Sequence, residues 1–147
     1  MISKRDIYLS GPLFTPAERA YLEKIDKICQ FLGLSTYLPH RDAGFRPAVG
    51  ASAKKFFTKD LEMLNHSKHV VAVLNGPDVD SGTAWEIGYA YACKKTLLGI
   101  REDIRIGDLN IMIDCSIKVV KSFSELERQL KELASSCSSS GKLKDNL

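Results

Sequence analysis

Val70-Val71-Ala72-Val73-Leu74 is followed, after a short turn, by Asp78-Val79-Asp80-Ser81-Gly82-Thr83-Ala84-Trp85-Glu86-Ile87-Gly88-Tyr89-Ala90. The unbroken apolar run reads as a strand buried on both faces, as in a parallel sheet. The polar, glycine-bearing stretch after it reads as a turn, and the remainder as the start of a helix over about Thr83 to Cys93. Glu86 is then expected in the first helical turn, at the carboxyl end of a strand, where open α/β sheets build ligand sites. A first-turn carboxylate is favoured as the anion by the helix dipole, by roughly 0.3–1 kcal/mol.

Working outward, the same alternation recurs. Ile7-Tyr8-Leu9 is a short apolar strand closed by the turn Ser10-Gly11-Pro12. Thr15, Pro16 and Glu18 form a capping box with proline at the first helical position. Leu22, Ile25, Ile28, Cys29 and Leu32 follow at helical spacing, and Gly33 ends that helix. Leu34 to Leu38 is a second strand, and residues 39–52 read as a polar loop. A helix over about Ala53 to Asn65 carries Phe56, Phe57, Leu61 and Leu64 on one face. Thr96 to Ile100 and Ile117 to Val120 complete the strands, with a loop over 101–115 between them. Ser124-Glu125-Leu126-Glu127 reads as a second capping box, opening a last helix to about Leu133. Strands alternating with helices at this spacing imply right-handed βαβ units. The expectation is a flavodoxin-like, doubly wound α/β fold: a five-stranded parallel sheet in a three-layer α/β/α sandwich.

A chain of 147 residues fits one domain with one core. We assign that domain to residues 1–134 and a flexible, serine-rich tail to 135–147. The net charge of +3 is spread among acids, with no basic stripe, which argues against nucleic acid as a partner. The N-terminus turns polar at once, and no apolar run approaches the ~20 residues needed to cross a bilayer, so no membrane association is expected. Cys29, Cys93, Cys115 and Cys137 show neither metal-pair nor CxxC spacing, and a reduced, cytoplasmic protein follows. Cys29 and Cys93 fall on apolar helix positions and read as core. His40, His66 and His69 lack zinc spacing, and no metal or other cofactor is expected.

The chemistry concentrates in carboxylates. Asp78 and Asp80 lie just upstream of Glu86, with Ser81 and Gly82 in the same turn. Like charges gathered at one place disfavour ionisation of them all, which a purely structural turn seldom requires. Gly11, in the first βα turn, allows close backbone approach to a ligand on the same sheet edge. Neither GxGxxG nor a P-loop is present, so dinucleotide and triphosphate sites are not supported. Phe14 either stacks on a base or staples the helix start. Tyr8 points either into the core or toward the site. Trp85 reads as packing against the sheet.

These residues resemble the nucleoside 2-deoxyribosyltransferases over about residues 6–123. The resemblance rests on Ile7-Tyr8-Leu9-Ser10-Gly11-Pro12, on Asp60, on Asp80-Ser81-Gly82-Thr83-Ala84-Trp85-Glu86-Ile87-Gly88, and on Leu109-Asn110-Ile111-Met112. It implies a two-step exchange of bases on 2-deoxyribose, with Glu86 as the nucleophile. Tyr8 matches the tyrosine that holds that carboxylate, and Asp60 the aspartate that shuttles a proton to the leaving base. Asp80 matches an acid that accepts from a sugar hydroxyl. Asn110 matches an asparagine delivered into a neighbouring subunit's site, which implies a homo-oligomer. Phe14 and the loop Pro39-His40-Arg41-Asp42 match the base side, with Asp42, Gly11 and Gly82 lining the pocket. Leu13 stands where some members carry a tryptophan, and the C-terminus lacks the aromatic end that some members fold into the site.

The implied ligands are deoxynucleosides and free nucleobases. A related branch hydrolyses deoxynucleoside 5′-monophosphates, but Asp80 stands where that branch faces a phosphate. Two unit charges ~4 Å apart repel by ~4 kcal/mol at an effective dielectric of ~20, so a neutral 5′-hydroxyl is favoured. The competing readings are an N-glycosidase that transfers the sugar to water, and a non-catalytic nucleotide-binding sensor on the same sheet.

Overall fold

The computed structural model describes residues 3–44, 52–103 and 108–141, with residues 137–141 by backbone alone. The elements in order are β1 (Arg5–Ser10), α1 (Pro16–Phe31), β2 (Thr36–Tyr37), α2 (Pro39–Asp42), α3 (Ser52–His66), β3 (Ser67–Val73), α4 (Ser81–Ala92), β4 (Thr96–Ile100), α5 (Ile111–Asp114), β5 (Lys118–Val120) and α6 (Phe123–Gly141). The strands form one parallel sheet in the order β2-β1-β3-β4-β5. This is the flavodoxin-like order, and its switch point lies between β1 and β3.

Strand periodicity sorts the core into two halves. Ile7 and Leu9 of β1, Val71 and Val73 of β3, and Leu98 and Ile100 of β4 face α1 and α6, packing on Leu22, Ile25, Leu126 and Leu130. Tyr8, Val70, Ala72 and Leu97 face the other way, toward Met63 and Leu64 of α3 and Ile87 and Ala90 of α4. The sheet is thus covered on both sides, as its apolar strands require. Gly99 on β4 lies closely against Leu74, which follows β3, and Ile117, which precedes β5. A Cβ there would lie 2.5 Å from Leu74 Cδ1 and 3.1 Å from Ile117 Cδ1.

The α1 cap forms as read. Thr15 accepts from Glu18 N, and Glu18 bonds back to Thr15 N at 2.8 Å. Gly33 follows with φ of 77°, a left-handed conformation suited to glycine. Other boundaries differ for local reasons. The α4 helix begins at Ser81 rather than Thr83, because Asp80 accepts from Thr83 N and caps it. At α6 the cap is Ser122 rather than Ser124: Glu125 N donates to Ser122 Oγ while Glu125 Oε2 accepts from Lys121 N. The expected loops over 39–52 and 101–115 each contain a single helical turn, α2 and α5; residues 45–51 and 104–107 lie outside those described.

The last helix continues past Leu133 to Gly141, so the first part of the expected flexible tail is helical. Ser135 and Ser136 donate to the carbonyls of Lys131 and Glu132, one turn earlier, so serine there is compatible with the helix. Residues 142–147 lie outside the described ones. Cys29 is buried, with its thiol pushed up to about 12 chiefly by burial. Cys93, expected in the core, is instead exposed as the C-cap of α4. Trp85 does not pack on the sheet either; it is half-exposed, stacked on Tyr89 at 5.4 Å and edge-on to Phe57 at 5.8 Å.

The Gly99 contact gives a direct test. Gly99→Ala forces Leu74, itself fully buried, out of its rotamer, and should destabilise the fold by about 1–3 kcal/mol in urea unfolding.

Candidate active site

The site grows out of strand period. Tyr8 and Ser10 are two apart on β1, so both side chains leave the same face of the sheet, beneath α4. Glu86 comes down from α4 to meet them. Tyr8 Oη donates to Glu86 Oε1 at 2.7 Å, and Ser10 Oγ donates to Glu86 Oε2. Both carboxylate oxygens are therefore held by hydroxyl donors from the central strand.

A second tyrosine–carboxylate pair lies beside the first. Tyr37, on β2 opposite Tyr8, stacks on the Tyr8 ring at 5.4 Å. Its Oη donates to Asp60 Oδ1 of α3 at 2.8 Å. Two stacked phenols thus hold two carboxylates at one end of the sheet, beside its switch point.

A cavity of about 960 Å³ opens over them, and its lining includes Gly11, Phe14, Asp60, Asp80, Gly82 and Glu86. An adjoining lobe of about 340 Å³ shares Asp60, Gly82 and Glu86 and adds Tyr8 and Trp85. Phe14 is 79% exposed, so it does not staple the helix start but stands free at the cavity wall. Gly11 has a packing reason beside any ligand role: a Cβ would come within 3.1 Å of Leu22 Cδ1 and 3.2 Å of Val73 Cβ. Gly82 leaves its side of the cavity to Asp80, whose Oδ2 a Cβ would meet at 3.3 Å.

Two expected site residues lie elsewhere. Asp42 is not among the residues lining the cavity; its carboxylate accepts from Leu38 N at 2.9 Å and is paired with Arg41, which also bonds the buried Asp26. The guanidinium beside Asp42 and the Leu38 amide keep its carboxyl below the usual range despite burial. Asn110 is exposed, caps α5 by accepting from Met112 N, and touches neither cavity lobe of its own chain. Conversely, Ser10, which the sequence places in the first βα turn without a role, and Tyr37, which it leaves in the second strand, hold Glu86 and Asp60. The Tyr-x-Ser spacing in β1 was a usable signal for Ser10. Tyr37 becomes visible only once β2 is set in register with β1.

The electrostatics also correct an expectation. Glu86 sits in the second turn of α4, not the first, and burial dominates any dipole effect. Desolvation, opposed by the Ser10 and Tyr8 hydrogen bonds and reinforced by Asp60 and Asp80, pushes its carboxyl up to about 7. Burial likewise raises Asp60, with the Tyr37 hydrogen bond acting against it. Tyr8 and Tyr37 are pushed well above the ordinary phenol range by burial and the nearby carboxylates, so both act as donors.

A family model described as nucleoside 2-deoxyribosyltransferase matches residues 7–144. No curated protein matches the chain. Among solved structures, a conserved protein from Enterococcus faecalis V583 is similar at 28% identity with a TM-score of 0.75, over 88% of this chain and 99% of that one. A 2-deoxyribosyltransferase from Bacillus psychrosaccharolyticus is similar at 23% identity with a TM-score of 0.74, over 85% of this chain and 95% of that one. A CMP N-glycosidase from Clostridium botulinum aligns at 15% identity with a TM-score of 0.58, over 86% and 98%. The last two likenesses speak to the fold alone.

The raised Glu86 value has a thermodynamic consequence. Between the ordinary 4.5 and about 7 the folded chain binds a proton that the unfolded chain has released. This contribution therefore favours folding at low pH and is lost as pH rises through about 7. Glu86→Gln carries no charge at any pH. It should be more stable than the parent at pH 8, by up to about 3 kcal/mol in denaturant unfolding, with the difference closing toward pH 4.

Proposed function

The chain belongs to the nucleoside 2-deoxyribosyltransferase family, and from that premise we propose that it exchanges nucleobases on 2-deoxyribose through a glycosyl-enzyme at Glu86. The observation that carries this is the Glu86 carboxylate, gripped at both oxygens by Tyr8 and Ser10 beside a second acid, Asp60.

A Glu86 oxygen attacks C1′ of the sugar as the N-glycosidic bond breaks. The bonding pair leaves with the base nitrogen, and Asp60 gives that base its proton. A second base then attacks C1′, its N–H proton returns to Asp60, and the ester pair returns to Glu86. Two inversions give net retention, as in retaining glycosidases with a base in place of water. The reacting carboxylate needs no reorientation, since its two donors are already in place. Proton delivery by Asp60 is the kind of step worth ~10²–10⁴-fold. Phe14 offers an exposed ring on which a base can stack.

Asp80 favours a nucleoside over a nucleotide. The first amides of a helix are a ready phosphate site, but at α4 Asp80 Oδ2 already accepts from Thr83 N and Thr83 Oγ1. A fixed carboxylate thus stands where a phosphate would dock, and suits a 5′-hydroxyl donor instead. Asn110 would serve a second copy of the chain. Its α5 turn holds Ile111 and Met112 in the open, at 71% and 76% exposure, as an interface would require. Among the described residues no helix is long and apolar enough to cross a membrane, and a cytoplasmic role in nucleoside salvage is part of this reading.

Glu86→Ala and Glu86→Gln should abolish exchange between a deoxynucleoside and a free base. A slow fluorinated arabinosyl donor should leave its sugar on residue 86, detected by mass spectrometry. Release of free deoxyribose at a rate indifferent to added base would replace exchange with hydrolysis. Because the nucleophile must be ionised, kcat/KM should fall as pH drops below about 7, one proton per site. Mixing inactive Glu86→Ala and Asn110→Ala chains should restore activity, since a mixed assembly holds sites with both native residues. Mixtures that stay inactive despite subunit exchange would count against shared sites.

A further inference from the structure

Asp60 must hold a proton, point it at the leaving base, and take it back. Nothing in that requirement involves Tyr37, which lies in a two-residue strand and is 1% exposed. Yet its hydroxyl is spent on Asp60 Oδ1, at 2.8 Å, while its ring is fixed by stacking on Tyr8. We propose that Tyr37 is the positioning residue of the general acid: by occupying Oδ1 as a donor, it makes Oδ2 the oxygen that carries and delivers the proton. This rests on the exchange reading above.

A protonated carboxyl has one accepting, carbonyl-like oxygen and one O–H. A phenol can accept as well as donate, but Tyr37 gives its hydrogen to Oδ1, and while it does so the acid proton is directed to the other oxygen. The acceptor role of Oδ1 persists after the proton leaves, when the same bond stabilises the new carboxylate. Tyr37 thereby serves both halves of the cycle without moving. Its ring is held in turn by Tyr8, whose own hydroxyl holds the nucleophile. The stacked pair sets acid and nucleophile at a fixed separation, which suits a reaction that needs both at one carbon.

Among the described residues, the charged and titratable groups around Asp60 are Tyr37 of β2, Tyr8 of β1, Glu86 of α4 and its cap Asp80. Arg19 of α1, His40 of α2 and Lys54 of its own helix complete the cavity wall. Of these, Tyr37 is the group in hydrogen-bond contact that favours the ionised form of Asp60. Removing that bond therefore raises the acid's value, and the alkaline limb of the rate profile should move upward.

The test compares deoxyadenosine, whose base needs a proton to leave, with N7-methyl-2′-deoxyguanosine, whose base leaves without one. For Tyr37→Phe, kcat on deoxyadenosine should fall at least about 10-fold, with KM changed less than about twofold, as expected for partial loss of acid catalysis. The N7-methylated donor should be nearly unaffected, and the alkaline limb with deoxyadenosine should shift up. Incorporating 3-fluorotyrosine at position 37 keeps the ring and strengthens the donor, so the limb should shift down; this arm decides the matter even if the phenylalanine variant fails to fold. Equal losses on both donors, or a limb unmoved by fluorination, would overturn the proposal. A parent chain that exchanges normally while the limb stays put removes the role of Tyr37 alone. A parent chain that exchanges no bases removes the exchange reading along with it.

Discussion

Strand β1 has no free face. Ile7, Tyr8 and Leu9 are fully buried and Ser10 nearly so, and the strand is paired on both edges, to β2 and β3. Its side chains alternate between two unlike tasks: Ile7 and Leu9 fill the apolar layer under α1, while Tyr8 and Ser10 carry hydroxyls into the opposite layer. A slip of one residue would exchange those layers, putting hydroxyls under α1 and leaving Glu86 without donors. The register of one strand therefore fixes both the core and the site.

That arrangement sets stability against reactivity. A carboxylate drawn out of water next to Asp60 and Asp80 resists ionisation, and the two hydroxyl donors offset only part of the effect. The remainder leaves Glu86 poised near neutrality, where a nucleophile can be ionised without being strongly solvated. The strain is electrostatic rather than conformational: among the described residues the one non-glycine at positive φ is Lys94, beyond the end of α4. The surrounding packing of Leu64, Ile87 and Leu74 supplies the apolar burial against which this cost is carried.

The fold was legible because its signals are periodic. Val70 to Leu74 and Thr96 to Ile100 read as buried strands, and the Thr15–Glu18 box fixed the start of α1. Glu86, Asp60, Asp80 and Tyr8 were found through motif and resemblance together, and they do converge. What escaped was settled by partners distant in sequence. Tyr37 acquires meaning only from pairing with Tyr8, and Asp42 is withdrawn from the cavity by Arg41 and the Leu38 amide. Asp80 was read as a ligand group, but its carboxylate also caps α4, which moved the helix start and pushed Glu86 one turn deeper. Trp85 reads from the sequence as packing against the sheet, while with Phe57 and Tyr89 it forms an outward aromatic cluster instead.

The double duty of Asp80 constrains how such a pocket can diverge. Most replacements at this position would fray the first turn of α4, and with it the helix that delivers Glu86. Serine, threonine and asparagine are exceptions, because each also caps a helix well. Along that route the negative charge disappears while the turn stays wound, and the repulsion toward a phosphorylated sugar goes with it. Drift from neutral to anionic substrates would therefore be expected to run through short, uncharged capping side chains, as a consequence of helix geometry as much as of selection for a new ligand.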